Sequence, residues 1–312
     1  MQYVINLCTD AHWNMAHDEF LLEQLSGQVF CLWQNAPAVI VGQNQSVYAE
    51  VNLPYLQEHG ICLARRVTGG GAVYHDLGNL NYTIAGPIDR MEHALDLVPA
   101  ALQRMGAKVE RSGRNDLMLD GRKCSGYAKR MSRDRVIIHG TLMWDVDLEA
   151  LTQALAVPGS KLEAAGIASV RSRVGNLKEA LPQFPEIQAF REALQQELAQ
   201  GDSPIGLSPE QLRSIDRMAD EKFRSWEWVY GHSPMSSHAA SRKFPCGTVE
   251  VRYNLKHGAL DQVRFLGDFL GNRPAAELAE ILQGKRLDEL KDLPVGQYLD
   301  GVDAAQFMLL FG

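Results

Sequence analysis

Alternating apolar and polar residues, together with short continuous apolar runs, mark the first half of the chain and predict β-strands. Val29–Trp33 and Ala38–Val41 are two apolar runs separated by a turn at residues 35–37. The full set of predicted strand segments is Gln2–Leu7, Val29–Trp33, Ala38–Val41, Leu80–Ile84 and several strands within residues 107–144. This part of the chain is therefore expected to form a sheet.

Apolar residues at helical spacing predict helices between and after these strands. A first helix follows the N-terminal strand, and Asn14 is a candidate cap for it. A second covers roughly Glu92–Met105, and Asp147 can cap a third that ends near Leu155. Two later helices carry the apolar stripes Ile187, Phe190, Leu194, Leu198 and Leu212, Ile215, Ala219, Phe223. Ser208, Pro209 and Gln211 give the last of these a strong start signal.

The final 70 residues predict a small β-β-α unit. Thr248–Leu255 alternates, turns at His257 and Gly258, and returns as Leu260–Leu266. A helix over Pro274–Leu282 follows, and the segment Pro234–Arg242 is the predicted linker. Because hairpins and helical crossovers are mixed, the fold class is α+β with a mixed sheet. The predicted domains are residues 1–241 and a small α+β unit at 242–312.

Charge and cysteine content narrow the classes of function. The 312 residues carry a net charge of −7, which disfavours a general nucleic-acid binder or a membrane-surface protein. The N-terminus does not read as a secretory signal, and no apolar run is long enough to span a membrane. Five irregularly spaced cysteines without a C-x-x-C pair argue against a disulfide framework or a zinc site and favour a reducing cytoplasm.

A glycine-rich segment is the first candidate site. Arg65 and Arg66 precede Gly69–Gly71, and His75 and Asp76 follow. Three consecutive glycines allow close approach of the backbone to an anion, and arginines add bidentate donors. The segment is neither a P-loop nor a dinucleotide fingerprint. A mobile surface turn is the alternative interpretation.

Two further segments carry polar residues within predicted strands. Asn115 and Asp116 are connected to Lys123 through a tight turn at Asp120–Gly121, so they are expected on neighbouring strands. A carboxylate there can hold a divalent cation while the ammonium faces an anion, although a surface ion pair is the plainer alternative. His139 interrupts an apolar strand over 136–144, where a structural histidine is the more common case.

Together these segments resemble the lipoate–protein ligase family. The matching blocks are RRVTGGGAVYHDLGNLNYTI, GRNDLMLDGRKCSGYAKR and HGTLMWDVDLEAL, with further matches in WNMAHDEFLLE, LWQNAPAVIVGQNQ and SVRSRVGNLKE. The C-terminal stretch resembles the accessory domain of bacterial members. The resemblance implies a catalytic domain like that of biotin and lipoate protein ligases. It also implies activation of lipoate, or octanoate, as an acyl-adenylate with ATP and Mg²⁺, and transfer of the acyl group to a lysine of a lipoyl domain.

The resemblance also implies roles for individual residues. Lys123 is the expected catalytic residue, Asp116 the expected Mg²⁺ ligand, and Trp33 the aromatic wall of a lipoate tunnel. The loop over residues 158–171 is expected to close over the adenylate. The ATP or adenylate set is Arg66, Gly70, Gly71, Ala72, Val73, Tyr74, Asn115 and Lys123. The lipoate set is Trp33, Arg66, Gly71, His75, Lys123, Gly126 and His139. The implied partners are lipoyl domains of 2-oxoacid dehydrogenase acyltransferase subunits or the glycine cleavage H protein.

Three other functions compete with this interpretation. An octanoyltransferase of the same fold needs a cysteine nucleophile. Pro245–Gly247 contains one but lies far from Lys123, and Cys124 is expected to point into the core. A biotin ligase fits the glycine-rich block less well. A lipoate-binding protein without activity is disfavoured by Lys123 and Asp116. Residues 111–135 carry eight basic and three acidic residues, a cationic strip suited to an acyl-adenylate or an acidic lipoyl domain.

Overall fold

The computed structural model describes residues 1–113, 115–155, 173–233, 236–267 and 269–311. The strands are β1 Gln2–Ile5, β2 Val29–Trp33, β3 Ala38–Val41, β4 Cys62–Arg65, β5 Val73–His75, β6 Asn79–Pro87, β7 Val109–Ser112, β8 Asp116–Leu119, β9 Arg122–Ser132, β10 Arg135–Met143, β11 Pro204–Ile205, β12 Ser236–Phe244, β13 Gly247–Lys256 and β14 Ala259–Gly267. The α-helices are α1 Ala11–Glu23, α2 Val47–Glu50, α3 Leu53–Glu58, α4 Ala94–Arg104, α5 Leu148–Leu155, α6 Ile187–Ala199, α7 Pro209–Met218, α8 Ala275–Leu282 and α9 Ala304–Met308. Two π-helical turns cover Ala219–Phe223 and Glu227–Gly231.

A mixed sheet forms the centre of the larger unit. Within the described residues it has eight strands in the order β11-β1-β2-β6-β10-β9-β8-β7. β1 runs parallel to β11 and β2, whereas the pairs from β2 through β7 are antiparallel. The α+β prediction with a mixed sheet is confirmed. The tight turn between β8 and β9 is also confirmed, since Asp120 and Gly121 both adopt positive φ values of 50° and 75°.

A second, three-stranded sheet in the same unit has the order β4-β3-β5. β3 runs parallel to β4 and antiparallel to β5. Consecutive strands β2 and β3 therefore enter different sheets, although their sequence suggests a hairpin. All residues of β2 and β3 are buried. This explains why both strands are continuous apolar runs without alternation.

The cap of α1 differs from the prediction. Asp10 accepts hydrogen bonds from the backbone N–H groups of His12 and Trp13, so the helix begins four residues earlier than Asn14 implied. Asn14 instead lies buried inside the helix and donates to the Asn35 side chain at 2.8 Å. The N-terminal strand also ends earlier than expected, at Ile5, and Leu7 is exposed.

Helices α4 and α6 cover the apolar core of the sheet. Trp144 stacks on Phe190 with ring centroids 4.4 Å apart. The predicted stripe of α6 is confirmed, because Phe190, Leu194 and Leu198 are buried in this core. The predicted cap of α5 is also confirmed, since Asp147 accepts from two backbone N–H groups of its first turn.

The capping box of α7 is present as predicted. The Ser208 hydroxyl oxygen accepts a hydrogen bond from the Gln211 backbone N–H, and the Gln211 side chain accepts one from the Ser208 backbone N–H. The predicted apolar stripe of this helix does not lie on one regular α-helix, because a π-helical turn begins at Ala219. Leu212 is 39% exposed, whereas Ile215, Ala219 and Phe223 are fully buried.

A second compact unit comprises Asn44–Ala49 and Trp226–Gly312. Its three-stranded antiparallel sheet has the order β12-β13-β14, and the predicted hairpin of β13 and β14 is confirmed. The predicted linker is wrong, because Ser236–Phe244 forms β12 and pairs with β13 over nine positions. The boundary expected between residues 241 and 242 lies inside this strand. In the part of the chain that the structure describes, no helix is long and apolar enough to cross a membrane.

Candidate active site

Neighbouring strands of the mixed sheet place polar residues in register on one face. Trp33 on β2 lies opposite Asn81 on β6, and Thr141 on β10 pairs with Asn81 from the other side. In the next row, Thr83 on β6 pairs with His139 on β10. Since residues two apart on a strand point to the same face, both rows lie on one side of the sheet.

These rows form one wall of a cavity of about 130 Å³. Residues predicted from sequence that line the cavity are Trp33, Arg66, Gly70, Gly71, Ala72, Val73, His75, Asn115, Lys123, Gly126 and His139. The cavity is also lined by residues that the sequence did not indicate, which are Met15, Ile40, Asn81, Tyr127, Ala128, Gly140 and Thr141. The glycine-rich segment thus lines the same cavity as Trp33, Lys123 and His139.

Two predicted site residues do not line the cavity. Tyr74 alternates with Val73 and His75 on β5, so its side chain leaves the opposite face of the strand and is buried. Burial, together with the nearby Asp76 carboxylate, raises the pKa of Tyr74. Asp116 contacts the cavity only through Lys123. The predicted adenylate loop, residues 158–171, lies outside the described residues.

The glycine-rich segment is organised by Arg66 from its inner side. The guanidinium donates to the Gly69 carbonyl at 2.8 Å and to the Gly71 carbonyl at 2.8 Å. Its Nη1 donates to the carbonyl of Ile40 and its Nε to the Thr68 hydroxyl. Burial beside Arg65 lowers the pKa of Arg66 to about 10, so it stays charged at neutral pH. Because these carbonyls accept from Arg66, the guanidinium holds the curved path of the loop.

Close packing of Gly42 against Gly70 fixes the position of this loop. A Cβ atom added to Gly42 would lie 2.1 Å from the Gly70 carbonyl oxygen. Gly70 itself has φ +95°, a conformation that favours glycine. Arg65 is fully buried and donates to the Gly42 carbonyl at 2.8 Å. The charge of Arg65 therefore stabilises the backbone below the loop and does not face the cavity.

Lys123 and Asp116 form an ion pair at the cavity. The Lys123 Nζ lies 2.7 Å from Asp116 Oδ1, and both side chains are somewhat more than one-third exposed. The predicted placement on neighbouring strands is confirmed, since β8 and β9 are adjacent. Lys123 is also held by its backbone, which accepts from Gly175 and donates to the Arg173 carbonyl. A Cβ on Gly126 would lie 3.1 Å from Lys123 Nζ, so glycine at this position leaves room for the ammonium group.

A single carboxylate is available for a metal ion at this position. Among the described residues, no group of three or more histidine, cysteine, aspartate or glutamate side chains is arranged to hold a metal. Mg²⁺ commonly uses one or two protein carboxylates and takes its remaining ligands from phosphates and water. Asp116 fits that pattern, because it supplies one carboxylate next to Lys123.

Trp33, the predicted aromatic wall of the lipoate tunnel, and His75 are both buried. Trp33 is 2% exposed and meets His75 edge-on, with ring centroids 6.2 Å apart. Asn35 Nδ2 donates to His75 Nδ1 at 3.1 Å, so the hydrogen-bond network assigns the ring hydrogen to Nε2. Burial near Arg66 lowers the pKa of His75 to about 3, which keeps it neutral. The Nε2 atom is buried without a partner among the described residues and can donate to a ligand.

His139 joins a buried polar chain that sequence analysis missed. Its Nδ1 lies 2.7 Å from Asp18 Oδ2, and its Nε2 lies 2.7 Å from the Thr68 hydroxyl. The Thr83 hydroxyl donates to Asp18 Oδ1 and accepts from the Trp33 indole. The sequence signal for Asp18 was a charged residue at helical spacing from Met15, Leu21 and Leu22.

No cysteine lines the cavity in the part of the chain that the structure describes. Cys124 is fully buried and donates to the Leu117 carbonyl, and desolvation raises the pKa of its thiol to about 12. The prediction that Cys124 points into the core is confirmed. Cys246, in the Pro-Cys-Gly segment, is buried in the apolar core of the second unit.

Some arginines of the cationic strip, residues 111–135, form contacts within the fold. Arg111 pairs with Asp96 at 2.7 Å, and Arg135 donates to the carbonyls of helix α1. Arg130 donates to the carbonyl of Val67 beside the glycine-rich segment. Of the remaining described residues of the strip, Lys129 and Arg133 are exposed. The net charge of the strip therefore overstates the positive charge available to a ligand.

Comparison with known proteins gives the family. Residues 10–199 match the model of the lipoyl protein ligase A/B catalytic domain, and residues 233–311 match that of the bacterial lipoate protein ligase C-terminus. The chain is 33% identical to lipoate-protein ligase LplJ of Bacillus subtilis over 96% of its own length and 93% of the relative. It is 34% identical to lipoate–protein ligase 1 of Staphylococcus aureus, covering 89% of this chain and 88% of that protein.

A solved structure shares the fold. It contains a bipartite lipoate protein ligase and its E2 lipoyl domain from Thermoplasma acidophilum, and it is 25% identical with a TM-score of 0.68. The alignment covers 75% of this chain and 97% of that chain. The matched catalytic model spans the glycine-rich loop, Lys123 and the cavity described above. The protein therefore belongs to the lipoate–protein ligase family.

Proposed function

We propose that this protein is an ATP-dependent lipoate–protein ligase. It activates the carboxylate of lipoate, or of octanoate, as an acyl-adenylate and transfers the acyl group to a lysine of a lipoyl domain. The observation that carries this proposal is the position of Lys123, whose side chain lines an apolar cavity together with the glycine-rich loop. The curated relatives described above are named lipoate–protein ligases, which supports the same reaction.

The acyl chain occupies the apolar part of the cavity. Met15, Trp33 and Ile40 are buried residues on its wall. An aliphatic tail with a dithiolane ring gains roughly 25 cal/mol for each Å² of apolar surface removed from water. The His75 Nε2–H is a buried donor in this wall, and it would bind an acceptor atom of the acyl substrate.

The nucleotide phosphates bind the outer side of the glycine-rich loop. Since the Gly69 and Gly71 carbonyls are held by Arg66, the backbone N–H groups of this segment are the polar groups left for an anion. Gly70, Gly71, Ala72 and Val73 line the cavity beside them. Arg66 thus contributes mainly by shaping the loop, whereas the resemblance alone suggested a direct contact with ATP.

Lys123 supplies the fixed positive charge of the first step. A carboxylate that attacks a phosphate is repelled by like charge, and negative charge grows on the non-bridging oxygens in the transition state. The ammonium group, already oriented by Asp116 and Gly126, stabilises that charge without reorganisation. Mg²⁺ bound through Asp116 and the phosphates would neutralise further charge. Asn115, whose side chain donates to the Tyr127 carbonyl, keeps this end of β9 in place.

The second step needs a neutral amine. An ordinary lysine with pKa about 10.4 is neutral only about once in 2,500 molecules at pH 7. When the acceptor lysine approaches Lys123, repulsion between like charges and loss of hydration both favour the neutral form. The site therefore promotes deprotonation of the acceptor lysine by its electrostatics.

The acceptors that we propose are lipoyl domains of 2-oxoacid dehydrogenase acyltransferase subunits or the glycine cleavage H protein. The Thermoplasma relative was solved with its E2 lipoyl domain, which supports this class of partner. The reaction is proposed to take place in the cytoplasm. The larger unit would act as the catalytic domain and the smaller unit, which includes residues 242–312, as the accessory domain.

A reconstitution experiment tests the proposal. The protein is incubated with lipoate, ATP, Mg²⁺ and several apo lipoyl domains, and the domains are analysed by mass spectrometry. We expect one lipoyl group on a single lysine, strictly dependent on ATP. Detection of lipoyl-adenylate in the absence of acceptor would separate a ligase from a protein that only binds lipoate. Octanoyl transfer from an acyl carrier protein without ATP would instead establish the transferase.

A further inference from the structure

We propose that Asp18 is a positioning residue that joins the acyl wall to the glycine-rich loop through one buried hydrogen-bond network. On one side, Asp18 Oδ1 accepts from the Thr83 hydroxyl at 2.7 Å, and Thr83 accepts from Trp33 Nε1 at 2.8 Å. On the other side, Asp18 Oδ2 bonds His139 Nδ1 at 2.7 Å. This inference rests on the proposed function, because it names residues that prepare that site for its two substrates.

The second side of the network continues to the loop. His139 Nε2 lies 2.7 Å from the Thr68 hydroxyl, and Arg66 Nε donates to the same hydroxyl at 3.1 Å. Arg66 in turn holds the Gly69 and Gly71 carbonyls. A single carboxylate on helix α1 is therefore connected to the tryptophan of the acyl wall and to the backbone of the nucleotide loop.

The directions of the hydrogen bonds are mutually consistent. Arg66 can only donate, so the Thr68 oxygen accepts and its own hydrogen is available for His139 Nε2. The His139 hydrogen then lies on Nδ1 and is donated to Asp18, and Thr83 receives the indole hydrogen while donating its own to Asp18. With a neutral His139, each of these hydrogens has an acceptor within the network, so all of its bonds can form at the same time.

Burial makes this arrangement rigid. Asp18 and Thr68 are 1% exposed and Thr83 is fully buried, so water does not compete for these bonds. The residues of the network lie on four different elements, α1, β2, β6 and β10, together with the segment that follows β4. Binding sites gain precision when the residues that contact a substrate are held by such supporting bonds. Asp18 is well placed to orient Trp33 and the loop without touching either substrate.

Selective substitutions separate the two sides of the network. Thr83→Val removes the support of Trp33, so the KM for lipoate is expected to rise roughly tenfold with a smaller change in the KM for ATP. Thr68→Val removes the hydrogen bond that supports Arg66, so the KM for ATP is expected to rise more than the KM for lipoate. Asp18→Asn exchanges a carboxylate oxygen for a donor group and should raise both KM values. Steady-state assays of lipoyl-adenylate formation give both constants for each variant.

A double variant tests whether the two sides meet at Asp18. In the Asp18→Asn background, Thr83→Val should raise the KM for lipoate less than it does in the wild type, since the two substitutions share the loss of the Thr83–Asp18 bond. Full additivity of the two effects would overturn the proposal. If Asp18→Asn fails to fold, the opposite selectivity of the two threonine variants decides, and equal changes in both KM values would overturn the proposal.

A control variant distinguishes positioning from loss of stability. Thr152 is a buried threonine whose hydroxyl donates to Leu148 within helix α5, away from the cavity. Thr152→Val should lower thermal stability about as much as the other threonine variants do, but it should leave both KM values unchanged. If the wild-type protein forms no lipoyl-adenylate, the proposed function fails. If the wild type is active and the variants lower thermal stability without selective KM changes, the positioning role of Asp18 is wrong.

Discussion

Lys123 and Asp116 lie on adjacent strands, and their charged groups approach to 2.7 Å beside the cavity. Each is somewhat more than one-third exposed, so the pair is reached by water and by ligands. An exposed ion pair of this kind contributes about 0–1 kcal/mol to stability. The pair is therefore of little use to the fold, whereas its ammonium group is well placed for chemistry on a carboxylate and a phosphate.

We predict that Lys123→Ala abolishes adenylate formation while the fold is retained. The reason is that the positive charge stabilises the transition state more than the ground state. Exchange between ATP and pyrophosphate in the presence of lipoate measures this step. Lys178→Ala is the matched control, because Lys178 forms a similar exposed ion pair with Asp145 at 2.6 Å. Normal exchange by the Lys123 variant would show that this residue is not catalytic.

Trp33→Ala is expected to change the choice among acyl substrates. Trp33 is buried in the cavity wall, so its removal creates space that a longer or bulkier acyl chain can occupy. Competition between lipoate and longer analogues measures this preference. Trp226→Ala, in the second unit, serves as control and should preserve the wild-type preference. An unchanged order of analogues in the Trp33 variant would contradict the assigned role.

Gly42→Ala should weaken nucleotide binding. The new methyl group would lie 2.1 Å from the Gly70 carbonyl oxygen, which is far inside contact distance, so the loop must move. We expect an increase in the KM for ATP of about tenfold or more, since a small displacement of a binding loop is costly. Gly206→Ala is the control, because a Cβ there meets no atom within 4 Å. Equal KM values for the two variants would argue against a loop fixed by Gly42.

Cys124→Ala is expected to retain ligase activity. The thiol is fully buried and its pKa is raised to about 12, so it is neither ionised nor accessible at neutral pH. Labelling with iodoacetamide followed by mass spectrometry should leave Cys124 unmodified in the native protein. Loss of activity in this variant together with a trapped thioester would favour the octanoyltransferase mechanism.

Stability should decrease as the pH falls below about 6.5. Burial lowers the pKa of His17 to about 4, so between pH 4 and 6.5 the unfolded chain binds more protons at this site than the folded chain. Stability therefore rises with pH across this window and is lost on acidification. His75, with a pKa of about 3, acts in the same direction.

Urea unfolding at pH 7.5 and pH 5.0 measures this effect. His17 contributes at most about 2 kcal/mol to the difference, from a pKa gap of about 1.5 units between the unfolded histidine and pH 5. His17→Phe should reduce the difference, whereas His93→Gln, at an exposed histidine, should leave it unchanged. A difference that is identical in the His17 variant and the wild type would exclude this source.

Local sequence signals were sufficient for several elements and for one part of the site. The capping box at Ser208, the hairpin of β13 and β14, and the tight turn at Asp120–Gly121 each depend on residues close in sequence. The same is true of the adjacency of Asp116 and Lys123, because a two-residue turn determines the register of its strands. Propensity failed even for one hairpin whose two strands are close in sequence. β12, rich in serine and histidine, was expected as a linker and is stabilised by pairing with β13.

The sequence by itself determined the family and the composition of the site, because long motifs carry the residues that the chemistry requires. Only the tertiary structure decided which way those residues face. Arg66 points at the backbone of its own loop, Tyr74 leaves the cavity, and Asp18 connects Trp33 with His139. These contacts join residues up to 121 positions apart. Burial and hydrogen-bond satisfaction select them, and neither quantity can be evaluated before the strands of the sheet have been placed side by side.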